Sequence, residues 1–401
     1  MLATTPSPVT TALAAPTSRR RAIVAFYASL QHGSEYRAGA EFVRFASSAG
    51  FDLAVIADLQ QNALPAELSA AAGGISVCQV PSPVVKQNWL YRFTDFLPQV
   101  IWHRRVARFL KNHHPELDAV WVQNGALPWL PVSPYEGVAP LFIWGPIGGG
   151  EILTGKILDT LGTKTRWREK LRSGLEGISV WRKKSLFAGS GFSKIVPLAR
   201  TAGAQRQLRK LFVSHDVPVI PEILDPIPAI HLDREQRQTP RFVWVGQDIP
   251  RKNLPLALEL FRRIRAEKFP DATLDVYGVP PNPSNTVANV TFHGWVSSID
   301  WKSYRHDGVL LLTSYREGLP SVVLEAIREG LLCITSDVGS LASLGVPTIH
   351  VLPTQEYPDY SLNTFSALIS RLETHLSSKH VEISPVSYRE GLLAHLRKNQ
   401  A

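Results

Sequence analysis

The chain has 401 residues, 44% of them apolar and 19% charged, with ten tryptophans. This composition excludes a disordered or fibrous protein, and the length exceeds the roughly 250–300 residues at which single cores stop growing, so two domains are expected. The net charge of +9 suits anionic partners such as nucleotides, phospholipid surfaces or nucleic acid, or serves solubility alone. Cys78 and Cys333 lie far apart in apolar surroundings; too few for a disulfide framework, they read as reduced core thiols of a cytosolic protein.

Residues 1–20 are rich in Thr, Pro and Ala, and their basic residues follow the apolar part. That order is wrong for a secretory signal, so a disordered tail is expected. No run of about 18 apolar residues occurs, so no membrane span is expected. AIVAFY (22–27) reads as a buried strand, followed by a polar loop over 28–39. Phe42, Phe45, Ala46 and Ala49 then recur at i, i+3, i+4 and i+7, the pattern of a one-sided helix. FDLAVIA (51–57) is the next strand, and the β–α–β order implies a parallel sheet. A helix over 97–112, strands at 118–122, 140–144 and 193–199 and a helix at 201–212 complete a first domain over 21–222.

The texture changes at 222–240, which is Pro-rich and polar without a period, and a linker is placed at 223–240. The βα rhythm restarts in a second domain over 241–385. RFVWV (241–245) is a strand. Residues 254–266 form a helix with Pro255 in its first turn and Ala257, Leu260, Phe261 and Ile264 on one face. TLDVYG (273–278), VTFHG (290–294), VLLLTS (309–314) and CITSD (333–337) continue the strands. Pro320 opens a helix that runs to about Arg328, Gly330 ends it, and a last helix is expected over 386–401. The fold class is α/β, two tandem Rossmann-like, doubly wound domains facing a cleft, with ligands beyond the carboxyl ends of the strands.

Chemistry concentrates in TSYREGLPSVVLEAIREG (313–330). A buried strand ends at Ser314, Glu317 lies in the loop, Gly318 permits close approach to the backbone, and a helix start offers free N–H groups to a phosphate. Glu325 lies two turns into the groove. Ionised carboxylates only accept hydrogen bonds, which suits the hydroxyls of a sugar or ribose. Two carboxylates repel a phosphate unless a cation is near, and Lys252 of VGQDIPRKN (245–253) is placed to be that cation. The expected anion is the phosphate of a sugar nucleotide.

With these residues the second half resembles the retaining, family-4-type glycosyltransferases of the GT-B fold. The likeness rests on Gly246 with Arg251-Lys252-Asn253, FHGWV (292–296), Glu317-Gly318-Leu319-Pro320 with Glu325 after seven intervening residues, Gly330 and SDVGS (336–340). In the first half, a loop with Gly33 and Gly39 and the stretch FIWGPIGGGE (142–151) resemble a bacterial glycan-building subgroup of that family.

The resemblance implies transfer of a sugar from a nucleotide-diphosphate donor to a glycan or lipid-linked glycan, with retention of configuration and without a required metal. Lys252 and Glu317 would be catalytic. Lys252 would meet the diphosphate together with Gly246, Gln247 and Arg251; Glu325 would hold the ribose, Glu317, Gly318 and Leu319 the donor sugar, and Trp295 and Val296 the base. Gly33, Asn124, Gly148, Gly149 and Glu151 would lie on the acceptor side. The sequence departs from the family at Gln247, where an Arg is usual, and at Gln123-Asn124-Gly125, where a His is usual. A nucleotide-sugar epimerase of the same fold and a catalytically weak nucleotide-sugar-binding subunit are the alternatives.

Other features divide between plain and functional readings. GPIGGGE has the wrong spacing for a dinucleotide fingerprint and is either a flexible turn or a wall of the acceptor cleft. His103, His113 and His114 read as solvated histidines at a helix end, and the absence of any Asp-x-Asp argues against a metal bridging the diphosphate. Arg251 by itself reads as an exposed loop residue more readily than a ligand. The basic stretch 164–184 with two tryptophans is either a solvated face or a contact to an anionic membrane. No nucleic-acid-binding module is present, and the expected location is cytoplasmic, peripheral at the inner face of the membrane.

Overall fold

The computed structural model describes residues 20–30, 34–83, 96–123, 133–148 and 193–400 apart from 214, 222, 282–286, 340, 354–355 and 357–358; between 148 and 193 it describes 157, 162–163, 166–167 and 169–170. In the first domain the strands are β1 (Arg20–Ala25), β2 (Leu53–Ala57), β3 (Ser76–Val80), β4 (Leu117–Val122), β5 (Leu141–Ile147) and β6 (Lys194–Ala199). They form a parallel sheet in the order β3-β2-β1-β4-β5-β6. Helices α1 (Ser34–Ser48), α2 (Pro65–Ala71), α3 (Phe96–His113) and α4 (Ala202–Leu211) accompany it. Both faces are covered, by Trp102, Val106 and Phe142 on one side and Phe42, Phe45 and Trp121 on the other. Burial on two faces is why these strands read as continuous apolar runs.

Helix α1 begins earlier than the expected loop over 28–39 allows. Buried Ala38 extends the stripe of Phe42, Phe45 and Ala46 by one turn, so Gly39 lies inside the helix and not in a glycine loop. Thr201 caps α4, its Oγ1 accepting from the Ala204 N–H at 3.2 Å, the usual service of a threonine at that position.

The second domain repeats the plan with β8 (Arg241–Val245), β9 (Thr273–Tyr277), β10 (Val290–Gly294), β11 (Gly308–Leu312), β12 (Leu332–Ser336) and β13 (Ile349–Leu352), ordered β10-β9-β8-β11-β12-β13. Its helices are α5 (Leu254–Glu267), α6 (Ser321–Arg328) and α7 (Leu362–Ser377). Gly330 follows α6 with φ +74°, the left-handed conformation that ends a helix at low cost for glycine. Cys333 is fully buried and Cys78 partly so, both as free thiols. Burial raises both thiol pKa values, that of Cys78 to about 11. The expected architecture of two doubly wound sheets is thus present, and in each the strand order reverses between the first strand and the fourth, at β1/β4 and at β8/β11.

The stretch expected to be an irregular linker contains β7 (Ile230–Asp233), which pairs antiparallel with β14 (His380–Ile383). Ile230 and Leu232 alternate inward over four residues, too short a run to show a period. The last helix, α8 (Arg389–Gln400), returns to the first domain and buries Leu392 and Leu396 in the core that holds Phe42 and Trp121. Arg389 pairs with Asp225 at this crossing, and Ser387 Oγ donates to Asp225 Oδ1 at 2.6 Å. Glu41 of α1 accepts from the Leu224 N–H at 3.3 Å, and burial raises its carboxyl pKa. Among the described residues no helix is long and apolar enough to cross a membrane.

Candidate donor site

In an open α/β sheet a ligand binds where two neighbouring strands send their chains to opposite sides. In the second domain that point lies past Val245 of β8 and Leu312 of β11. Gly246 leaves β8, and its N–H donates to the carbonyl of Tyr277 at 3.0 Å. A Cβ there would lie 2.9 Å from the Trp244 ring and 3.2 Å from Lys252 Cγ, so glycine is what lets the Lys252 stem lie across the strand end. The chain then makes a short 3-10 turn over Pro250–Lys252 and passes through left-handed Asn253 (φ 53°) into α5.

Thr313, just past β11, ties this turn down. Its Oγ1 accepts from Trp244 Nε1 at 3.1 Å and directs its own proton at the carbonyls of Asn253 (2.9 Å) and Lys252 (3.2 Å). The N–H of Tyr315 donates to the carbonyl of Arg251 at 3.1 Å. A buried hydroxyl and two backbone segments therefore place the basic pair against the loop that carries Glu317.

Glu317 is shared between both cations. Its Oε1 is 2.7 Å from Lys252 Nζ and its Oε2 2.9 Å from Arg251 Nη1, and Arg251 Nη1 also donates to the carbonyl of Arg316 at 3.2 Å. The Glu317 side chain is only 11% exposed, so the attraction is screened less than at the surface. A carboxylate held by two cations marks a place where a diphosphate can be held instead.

The rest of the loop is fixed by backbone contact. Gly339 has φ +59°, and a Cβ on it would lie 1.8 Å from the carbonyl oxygen of Gly318, so only glycine lets the loop after β12 support residues 317–319. Leu319 is buried, and α6 starts at Ser321. Within α6, Glu325 Oε2 accepts from Trp301 Nε1 at 3.1 Å, which orients the carboxylate. Trp295, 83% exposed, and half-buried Val296 follow β10.

Of the residues singled out by sequence, Gly246, Arg251, Lys252, Glu317 and Gly318 are brought together here. Arg251 is a partner of Glu317 and not merely an exposed loop residue, because the Tyr315 N–H anchors its backbone beside that loop. Gln247 is exposed, and its carbonyl accepts from the Ile249 N–H at 2.8 Å. On the acceptor side, Gly148 lies against the Arg200 side chain, a Cβ there falling 3.5 Å from Arg200 Nη1. Gly33, Asn124, Gly149 and Glu151 lie outside the described residues.

His103 departs from expectation. It is buried within α3, and its Nδ1 is 2.6 Å from Tyr135 Oη. Trp102, Val106 and Leu110 put that side of the helix in the core, and burial pushes the His103 pKa down to about 3. His113 and His114 do sit at the end of α3. No cluster of metal-binding side chains occurs among the described residues. Two further elements escaped sequence reading: the Thr313 clasp, and Arg316, whose Nη2 lies 3.2 Å from Glu169 Oε2. The position of Arg316 directly before Glu317 was the only available signal.

Residues 239–360, which include every contact of this site except that of Glu169, match the family described as glycosyl transferases group 1. No curated protein matches the chain. Among solved structures, the chain is similar to the lipopolysaccharide outer core galactosyltransferase WaaB in its apo form at 15% identity, covering 95% of both chains with a TM-score of 0.50. It is also similar to a UDP-forming α,α-trehalose-phosphate synthase from Burkholderia xenovorans, at 10% identity over 96% of this chain and 100% of that one, TM-score 0.50. The corresponding synthase from Burkholderia vietnamiensis gives 10% identity over 96% and 94%, TM-score 0.50. At these identities the likeness is one of fold. The family match spans the donor site and the shared fold spans both domains: residues 239–360 match the group 1 glycosyltransferases, and the chain as a whole has the GT-B fold.

Proposed function

We propose that the donor is held at the β8/β11 switch point and that its sugar passes to a glycan or lipid-linked glycan resting on the first domain. The observation that carries this reading is the Glu317 carboxylate clasped by Lys252 and Arg251 at the strand ends. A donor diphosphate takes over those cations. Lys252 and Arg251 then stabilise the leaving phosphate, the main electrostatic contribution expected of such a site, and the reading requires no metal. Glu317, released, accepts from hydroxyls of the donor sugar. The backbone at Gly318 and Leu319 approaches sugar or phosphate, Glu325 binds the ribose, and Trp295 and Val296 flank the base. The bond from the anomeric carbon to the phosphate oxygen breaks as the acceptor oxygen attacks from the same face, and the acceptor proton passes to the leaving phosphate.

In the same reading Gly33, Asn124, Gly148, Gly149 and Glu151 contribute to the acceptor side, and the enzyme works in the cytoplasm against the inner face of the membrane. Support for the last point is exposed Trp167 beside Arg166 in the basic stretch, a pairing suited to a lipid interface. The test is a thermal-shift series with UDP- and GDP-sugars, followed by transfer assays with and without a chelator. A donor at 100 times its Kd adds about 2.7 kcal/mol of apparent stability. Failure of every nucleotide sugar to raise the melting temperature overturns the assignment.

A further inference from the structure

Glu169 lies outside the sequence motif yet reaches the donor loop. Its backbone is helical, as is that of Arg166 and Trp167, and the Arg166 N–H donates to the carbonyl of Gly162 at 2.9 Å. Side chains two residues apart on a helix point about 200° from each other. Accordingly Trp167 is 67% exposed, whereas the Glu169 side chain is 17% exposed and faces Arg316, itself 11% exposed. The same segment places buried Ile157 in the apolar core of the second domain, with Trp244 and Leu254. Two separate contacts, one ionic and one apolar, therefore bind this segment of the first half to the donor domain.

Arg316 in turn presents its carbonyl to Arg251 Nη1, and Arg251 meets Glu317. We propose that Glu169 is a positioning residue for donor binding. By holding the Arg316 side chain it fixes the backbone carbonyl that orients Arg251, and through Arg251 it fixes the cation pair offered to the diphosphate. A largely buried guanidinium that loses a carboxylate is left with charge that is no longer compensated there, and Glu317, the next residue, is the nearest anion in sequence. Loss of Glu169 thus disorders the arrangement the diphosphate needs, although Glu169 touches no donor atom. This inference rests on the donor-site reading above.

The experiment is calorimetric titration of UDP and GDP into wild type, Glu169→Gln and Glu169→Asp, with donor KM and kcat measured on the same preparations. Residues along a coupling network shift binding by about two- to thirtyfold. Glu169→Gln is expected to raise Kd and donor KM within that range and to change kcat less, alongside some fall in the melting temperature of the unliganded protein, since the buried Arg316 charge loses a partner. Glu169→Asp, which keeps the charge on a shorter arm, recovers part of the loss and serves as the readout if the Gln variant folds poorly. Binding by Glu169→Gln within twofold of wild type overturns the relay. Tighter binding overturns it as well, since Glu169 then acts only as a counter-charge to the site. A wild type that binds neither nucleotide overturns the donor-site reading and the relay with it, a result distinct from the first two.

Discussion

At the switch point of the first domain, where β1 and β4 part, the loop after β1 is fixed by a neutral amide. Buried Asn62 accepts from the Ala28 N–H at 2.9 Å and donates to the carbonyls of Phe26 (3.1 Å) and Ala57 (2.7 Å). Gln123, just past β4, is buried too, its N–H bound to the carbonyl of Val24 at 2.9 Å. At the matching point of the second domain, Thr313 fixes the loop and the side chains are charged: Lys252 and Arg251 on Glu317. The strand order is the same in both. A shared scaffold therefore fixes where a ligand binds, and the loop side chains decide which ligand. Among the described residues, the charged cluster that suits a diphosphate lies at the second of these two points, and the overall basicity of the chain does not identify it.

The largest effect that sharpens this contrast is expected at Glu317. Glu317→Gln should lower turnover by about 10²-fold, the typical worth of one preorganised polar contact, while nucleoside diphosphate binding holds or tightens because the competing carboxylate is gone. Kinetics with the true donor and calorimetry on the same variant check both halves. Wild-type turnover removes Glu317 from the chemistry. In the first domain, Asn62→Ala leaves buried backbone groups unpaired, at a cost of about 1–3 kcal/mol each. Denaturant melts should show the loss of stability, and nucleotide affinity should stay at the wild-type value; a fall in affinity would break the division of labour drawn here.

A histidine buried in each domain is held neutral. His103 in the first and His375 in the second are both held down to about pKa 3, chiefly by burial. The unfolded chain takes up a proton below about pH 6.5 and the folded chain only near 3, so stability falls as pH drops through that window. The slope reaches at most about 1.4 kcal/mol per pH unit per histidine. Denaturation at pH 7, 6 and 5 should show a shallower slope for His103→Gln than for wild type, and equal slopes would mean that His103 takes up its proton without unfolding. The smallest effect concerns the basic stretch. Sedimentation with anionic vesicles should decline as salt rises, because exposed charges are screened within about 8–10 Å, and Trp167→Ser should weaken it further. Equal binding to neutral vesicles, or none to either kind, counts against a membrane contact.

Sequence made the second domain legible because its chemistry is local. A buried strand, a carboxylate three residues past its end, a glycine and a helix start all fall within one short stretch, and their period and spacing need no distant partner. What stayed hidden depends on partners far along the chain. β7 is four residues long and is recognisable only beside β14. Glu169 sits in a basic run that reads as a solvated face until Arg316 is set against it. His103 looked solvated because its partner, Tyr135, lies on another element. The start of α1 was misjudged for a different reason: small buried alanines carry little apolar signal, so the helix reads as beginning only at the first phenylalanine.

The central claim is that the cations past β8 hold the donor diphosphate, and titration of UDP and GDP into wild type, Lys252→Ala, Arg251→Ala and Gln247→Ala tests it most directly. A hydrogen bond to a charged group contributes about 1.5–3 kcal/mol, so Lys252→Ala should weaken binding by roughly 10- to 150-fold. Arg251→Ala should fall between it and wild type, and Gln247→Ala, which removes an exposed neutral side chain, should bind within about twofold of wild type. Unchanged binding in Lys252→Ala, or a loss in Gln247→Ala as large as in Lys252→Ala, would contradict the account.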